Sequence, residues 1–232
     1  METTLRKGLA ALGLPCSAAE QLLDFAQRLL EKNQVMNLTA ITQPRDVATL
    51  HLLDCAALLT LCDFRGKSVV DVGTGAGFPG MVLRIMEPDF DLTLLDSLGK
   101  RIDWLRQTCD EMGLARVTCV HARAEEFAGE HRQAYDIATS RAVAALPLLC
   151  ELALPLVKTG GCFLAMKSVD SDEEIAAARG AIGQLGGRIE AIRDYVIPCA
   201  AVTHRLVVIC KVKDTPPQFP RSWAKMKKAP LK

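Results

Sequence analysis

Asp71 and Asp96 stand at the ends of two short apolar runs, and between them lies a loop containing Gly73, Gly75, Gly77 and Gly80. Glycine admits positive φ and lets a ligand lie against the main chain. With Pro79 placed to suit a first helical turn, strand, loop and helix start together form a nucleotide cradle. Gly75-Ala-Gly77-Phe-Pro-Gly80 satisfies the dinucleotide spacing G-x-G-x-x-G, and Asp96 lies about where a ribose-binding acid would sit. Asp71 argues against a pyrophosphate, because an acid beside the loop repels phosphate and suits a cation. The loop therefore favours a cofactor with positive charge and no phosphate, as in S-adenosylmethionine with its sulfonium and α-ammonium. A dinucleotide, or a tight turn that holds no ligand, are the competing readings. Asp96 can accept both hydroxyls of a ribose through its two oxygens. Its structural alternative is an acid stabilised at a helix N-terminus.

Further candidates follow the next two apolar runs. The third run ends Ala122-Arg123-Ala124-Glu125-Glu126, whose backbone could clasp an adenine or simply start a solvated helix. The fourth ends Ser140-Arg141-Ala142. Methylases of exocyclic amines commonly carry an Asn/Asp-Pro-Pro-aromatic motif there, so its absence argues against an adenine-N6 or cytosine-N4 target. His51 and Asp54 lie three apart on a helical pattern and share a face. With no third ligand nearby, they read as a structural tie between two parts of the chain rather than a metal or acid–base site. Asn37 and Thr39 lie in a loop, where they either approach a substrate or cap the next segment.

These groups need elements to position them. Leu5, Leu9 and Leu12, then Leu22, Leu23, Ala26, Leu29 and Leu30, then Val47, Leu50, Leu53, Leu58 and Leu61 mark three helices. The second starts at a capping-box pattern, Ser17 to Glu20, and ends at Asn33. Residues 1–65 thus read as a helical N-terminal extension. From Lys67 the period changes, and strands over 68–73, 91–96, 117–122, 135–139 and 162–167 alternate with helical patterns. One of these spans 146–157, and another starts at a second capping box, Ser171 to Glu174. Two extended runs, 188–197 and 204–212, close the series as an antiparallel pair. Regular alternation predicts an α/β, Rossmann-like doubly wound sheet of seven strands over 66–213, the architecture of class I methyltransferases. Residues 214–232 form a basic, Pro-rich tail with no expected regular structure.

Composition narrows the classes. The net charge of the 232 residues is +1, so any nucleic-acid grip is a local patch. No apolar run approaches the ~18 residues of a membrane span, and the N-terminus lacks a signal-peptide pattern. Nine scattered cysteines, none in C-x-x-C or beside histidine at metal spacing, read as reduced thiols of a cytoplasmic protein.

The combined landmarks resemble the GidB/RsmG family, bacterial methyltransferases that modify N7 of a guanine in 16S ribosomal RNA. They are Asn37-Leu-Thr39-Ala-Ile41, His51-Leu-Leu-Asp54, Asp71 to Gly80, Leu94-Leu-Asp96-Ser97, Lys100-Arg101, Arg123-Ala-Glu125-Glu126, Ser140-Arg141-Ala142, Lys167, Phe219-Pro-Arg221 and Pro230-Leu231. Phe78-Pro79-Gly80 is the most specific part. Cys55 departs from the family's usual serine. The resemblance implies the class I fold with a helical extension, S-adenosylmethionine as cofactor, and contacts to it from Gly73, Phe78, Ala124, Glu125 and Arg141, with Asp96 near the ribose. It also implies 16S ribosomal RNA, or the small subunit, as partner. No metal, no membrane and a monomer are expected. Guanine N7 has no proton to lose, so positioning can drive the reaction without a general base. Arg141 then reads as a positioning group or a structural ion pair. Lys100, Arg101, Arg123, Arg141, Lys167 and Arg205 lie at or near strand or helix ends, and several of them are expected to converge on the cofactor mouth and hold phosphates, any one of them being otherwise an ordinary solvated charge. A methyltransferase for small molecules or proteins, and a non-catalytic RNA-binding assembly factor, are the alternatives.

Overall fold

The computed structural model describes residues 1–232. Its centre is a seven-stranded sheet of β1 (Ser68–Val72), β2 (Asp91–Asp96), β3 (Val117–His121), β4 (Tyr135–Arg141), β5 (Val157–Ser168), β6 (Gly187–Ile197) and β7 (Val202–Lys211). The order is β3-β2-β1-β4-β5-β7-β6. β3 to β5 pair in parallel, and β7 runs antiparallel between β5 and β6. The strand order reverses beside β1, where β2 lies on one side and β4 on the other. That is the switch point at which open α/β sheets hold ligands beyond their carboxyl ends.

Both faces of the sheet are covered. On β1, Val69 enters one core and Val70 and Val72 the other, so a strand buried on both sides reads as a continuous apolar run. The extension comprises α1 (Glu2–Ala11), α2 (Ala19–Met36) and a helical stretch over 44–60. That stretch contains α3 (Pro44–Asp46), a π-helical segment Val47–Leu53 and α4 (Asp54–Ala56). Leu5, Leu22, Phe25 and Leu52 share one buried cluster with Val69, Phe78 and Leu94, together with residues of α5 (Gly80–Met86) and α6 (Gly99–Glu111). The extension therefore has no separate core. The opposite face packs α7 (Ala124–Glu130), α8 (Leu146–Ala153), α9 (Asp172–Gln184) and α10 (Trp223–Lys228).

Several local expectations are corrected. α2 continues to Met36 and stops at Asn37, which turns to φ 49°. Neither capping box forms. Ser17 falls within a 3-10 turn ahead of α2, and Ser171 spends its hydroxyl on the Ser168 carbonyl at 2.7 Å. α8 ends at Ala153, and β5 starts at Val157. The tail is structured, because Phe219 and Met226 are buried in the α8–α9 core. Arg221 forks onto the buried carboxylate of Glu151 through Nε and Nη2, at 2.8 and 2.7 Å.

Candidate active site

The loop after β1 turns sharply at the sheet's carboxyl edge. Gly73 has φ +68°, and a Cβ there would meet Val143 Cγ2 at 2.5 Å, so both conformation and space require glycine. Gly80 opens α5 with ordinary φ, but a Cβ would press on Asp71 Oδ2 at 2.9 Å. Asp71 itself is fully buried. Its Oδ2 accepts from Thr74 Oγ1 (2.7 Å) and the Gly80 N–H (2.9 Å), and its Oδ1 from Thr139 Oγ1 (3.2 Å). The expectation that Asp71 faces a cationic ligand is therefore corrected: it ties β1, the loop, α5 and β4 together from inside. Burial lifts its pKa to about 6 despite these donors.

Of the two acids that flank the glycine loop, Asp96 is the one that reaches the open site. Oδ2 accepts from the Gly75 N–H and Oδ1 from the Leu98 N–H, both at 2.9 Å, with Arg101 Nη1 at 3.8 Å. One acceptor direction per oxygen stays free. Asp96 lies between two lobes of one cleft, which share Gly73, Asp96, Ser97 and Val143. The larger, about 340 Å³, is walled by the glycine loop, Phe78, Arg101, Arg141, Leu38, Thr39 and His51. The smaller, about 250 Å³, is walled by Val72, Leu95, Ala122 to Glu125, Leu152 and Trp223.

Behind the larger lobe lies a polar network that joins three parts of the chain. Arg141, at the end of β4, donates to the Leu50 carbonyl (2.9 Å), Asp54 Oδ2 (3.1 Å) and His51 Nδ1 (2.9 Å). Asp54, wholly buried, also accepts from Tyr195 Oη and His204 Nδ1, each at 2.8 Å. His51 stacks on Phe78 with centroids 4.5 Å apart, and the Arg141 guanidinium lies 4.9 Å from the same ring. Of the two roles considered for Arg141, the ion pair with an acid is present, and the side chain also lines the cleft. His51 and Asp54 do not point at one common point; they hold Arg141 from two sides.

The basic residues separate. Arg101 lines the larger lobe, and Lys100 is exposed beside it on α6. Arg123 lines the smaller lobe, donates to Glu125 Oε1 at 2.7 Å and lies 5.7 Å from the Trp223 ring. Lys167 is held by Glu174 (2.7 Å) and the Ala144 carbonyl (3.0 Å). Arg205 is bound by Asp194 and Asp172, with contacts of 2.6 Å. Neither of these last two lines the cleft, which corrects their assignment as RNA-gripping residues, whereas Arg101, Arg123 and Arg141 do line it. Trp223, Val143 and Leu152 were missed as wall residues. Trp223 had one signal: with Phe219 and Met226 it makes a helix-spaced apolar set within the basic tail.

Comparison with known proteins follows the same lines. The GidB family, described as rRNA small subunit methyltransferase G, matches residues 18–200. The chain is 44% identical to the Ribosomal RNA small subunit methyltransferase G of Clostridium botulinum, covering 91% of this chain and 90% of that protein. It is 42% identical to the protein of the same name from Alkaliphilus metalliredigens, covering 98% of each. Among solved structures, a branched-chain polyamine synthase mutein from Thermus thermophilus aligns with TM-score 0.62 at 15% identity, covering 87% of this chain and 65% of that one. TrmN from Thermus thermophilus aligns with TM-score 0.53 at 20% identity, covering 68% and 48%. These last two likenesses are of fold.

Proposed function

We propose, for a chain that belongs to the GidB family of rRNA small subunit methyltransferases G, that it transfers a methyl group from S-adenosylmethionine to N7 of a guanine in 16S ribosomal RNA. The residues present fit that cofactor. The smaller lobe has apolar walls from Val72, Leu95, Leu152 and Trp223, which suit a flat purine. Asp96 offers one unused acceptor direction on each oxygen to a ribose diol. The larger lobe, with Gly73, Phe78 and Arg141, accommodates the amino-acid portion and the reacting centre. When bound, the cofactor supplies an electrophilic methyl group on a sulfonium.

The observation that supports N7 is the state of the acids and bases around the larger lobe. His51 Nδ1 is taken by Arg141, Asp54 by Arg141, Tyr195 and His204, and Asp71 by Thr74, Gly80 and Thr139. These three are committed within the protein, and Asp96, the other acid of the lobe, keeps its free acceptor directions for the ribose diol; a purine N7 has no proton to give up. Rate then comes from holding nucleophile and methyl group in line, which can supply ~7–11 kcal/mol. Phe78 and Arg141, braced by the network behind them, form a stiff wall for that alignment.

In this reading residues 1–65 provide the substrate-side wall, 66–213 the transfer domain and 214–232 the adenine-side wall. Arg101 and Lys100 at the rim grip phosphates while the target base enters the cleft. The enzyme acts in the cytoplasm as a monomer; no helix is long and apolar enough to cross a membrane. The test is methyl transfer from labelled cofactor to naked 16S RNA, small subunits and total protein, with borohydride–aniline cleavage to map N7-methylguanosine. Label in protein or small molecules, with none in RNA, refutes the proposal.

A further inference from the structure

Thr39 lines the larger lobe together with the glycine loop, and the direction of its hydrogen bonds is determined. A guanidinium has only donors. Across the 2.9 Å contact with Arg141, His51 Nδ1 must therefore accept. The imidazole is then neutral, with its proton on Nε2. Burial first, and then the Arg141 charge, push its pKa down to about 3, in keeping with that state. Nε2–H donates to Thr39 Oγ1 at 2.8 Å, and the Ile41 N–H donates to the same oxygen at 3.0 Å. Both lone pairs of the hydroxyl are used, and only its proton is left to give. The other bonds of Thr39 run through its backbone to Asn33 and offer that proton no acceptor.

We propose that Thr39 determines base specificity: its hydroxyl proton is presented to the cleft to bind O6 of the target guanine. This rests on the guanine-N7 reading above. O6 and N7 lie on the same edge of the purine, and both are acceptors. Adenine carries an amino donor where guanine carries O6. A hydroxyl compelled to donate therefore pairs with guanine and meets adenine donor against donor. Asp54, Arg141 and His51 act through Thr39 as positioning residues: the fully buried Asp54 carboxylate orients the guanidinium, and the guanidinium selects the imidazole tautomer. In the same lobe Leu38 and Val143 are apolar, Thr74 gives its hydroxyl proton to Asp71, and Arg141 is engaged with Leu50, Asp54 and His51.

The experiment is a coupling cycle between protein and substrate. Once product mapping has identified the methylated guanosine in wild-type product, that nucleotide is replaced by 2-aminopurine riboside, which retains N7 and lacks O6. Single-turnover transfer at saturating cofactor is measured for wild type, Thr39→Val, Thr39→Ser and His51→Phe, with calorimetry of cofactor binding to each. Any change in intrinsic N7 reactivity is common to all four proteins and cancels. Wild type and Thr39→Ser should lose roughly 3- to 10-fold more on removal of O6 than Thr39→Val and His51→Phe. Equal O6 sensitivity in wild type and Thr39→Val overturns the proposal. So does weaker cofactor binding in Thr39→Val with unchanged transfer at saturation, which would assign the hydroxyl to the cofactor carboxylate. If Thr39→Val fails to fold, Thr39→Ser decides, since a serine variant that loses O6 sensitivity also overturns it. Absence of N7-methylguanosine from wild-type product refutes the reaction instead, and is read before any variant is made.

Discussion

Asp54→Asn tests the network where the physics is most demanding. The carboxylate has no exposed surface, and Arg141 is 16% exposed. Oδ1 serves Tyr195 and His204, and Oδ2 serves Arg141. An amide has one acceptor oxygen. Turned toward Tyr195 and His204, it aims its NH2 at the Arg141 donors; flipped, it aims its NH2 at the other two. The first orientation sets donor against donor, the second requires the Tyr195 hydroxyl to turn and the His204 proton to move to Nε2 so that both accept, and in either the guanidinium loses its counter-charge. Removing one partner of a buried pair costs about 3–5 kcal/mol, against a total stability on the order of 5–15 kcal/mol. Tyr195→Phe deletes a single hydrogen bond to a charged group and should cost about 1.5–3 kcal/mol. Urea unfolding followed by circular dichroism measures both, and methyl transfer to RNA should fall with Asp54→Asn as Arg141 and His51 lose their orientation. A loss under about 1 kcal/mol for Asp54→Asn, or a larger loss for Tyr195→Phe, would falsify the account of this cluster as a buried, fully committed ion-pair network.

Gly73→Ala puts a methyl group against Val143 at positive φ, so a loss of about 1–3 kcal/mol is expected, with weaker cofactor binding by calorimetry. Trp223→Ala opens the smaller lobe and should raise the cofactor's dissociation constant roughly 10-fold, an aromatic wall contributing on the order of 1 kcal/mol or more; unchanged affinity argues that the tail merely abuts the site. Arg101→Ala should reduce the salt slope of RNA binding by about 1, whereas Arg205→Ala should leave that slope alone and lower the urea midpoint. Burial raises the pKa of Asp71 in the folded state to about 6, against an ordinary aspartate value of 3.8. The native state binds the extra proton between these values, so its contribution favours folding below about pH 4 and is lost as pH rises to about 6. The stability difference between wild type and Asp71→Asn should change across that window, and a flat difference refutes the assignment.

The sheet was legible because β1 is buried on both faces and announces itself as Val69-Val70 and Val72 around one acid. The acid's direction was not. Asp71 and Val69 lie on the same face of β1, toward the extension, which turns Asp71 away from the cleft opening. Thr74 three residues on, and a glycine at position 80 with no need for positive φ, were the available signs that its oxygens are used internally. Asp96 was read correctly as the acid at the end of β2, although the backbone N–H groups that orient it come from other segments. Arg205 illustrates a different gap. It is opposite Asp194 in the β6–β7 register, a cross-strand ion pair that depends on pairing not visible residue by residue. In the tail, five cations and several prolines outweighed the spacing of Phe219, Trp223 and Met226, and burial of that apolar set makes the segment a wall.

A buried ion pair is a poor way to gain stability, since well-packed apolar residues of similar volume often do as well or better. The extension could have been fastened to the sheet by more leucines, which already surround the network on the α1 and α2 side. Packing, however, does not fix the direction of a proton. Asp54 orients a guanidinium, the guanidinium dictates which imidazole nitrogen carries hydrogen, and that hydrogen decides which way a threonine hydroxyl faces. Methyl transfer to N7, as proposed above, removes no proton and so has little use for titratable side chains as proton carriers. It has a use for them as directional braces, because discrimination between two purines with similar N7 atoms turns on a donor or acceptor at the neighbouring position. In that proposal the helical extension is part of the chemistry: it supplies Thr39, His51 and Asp54, and the sheet supplies the arginine that sets them.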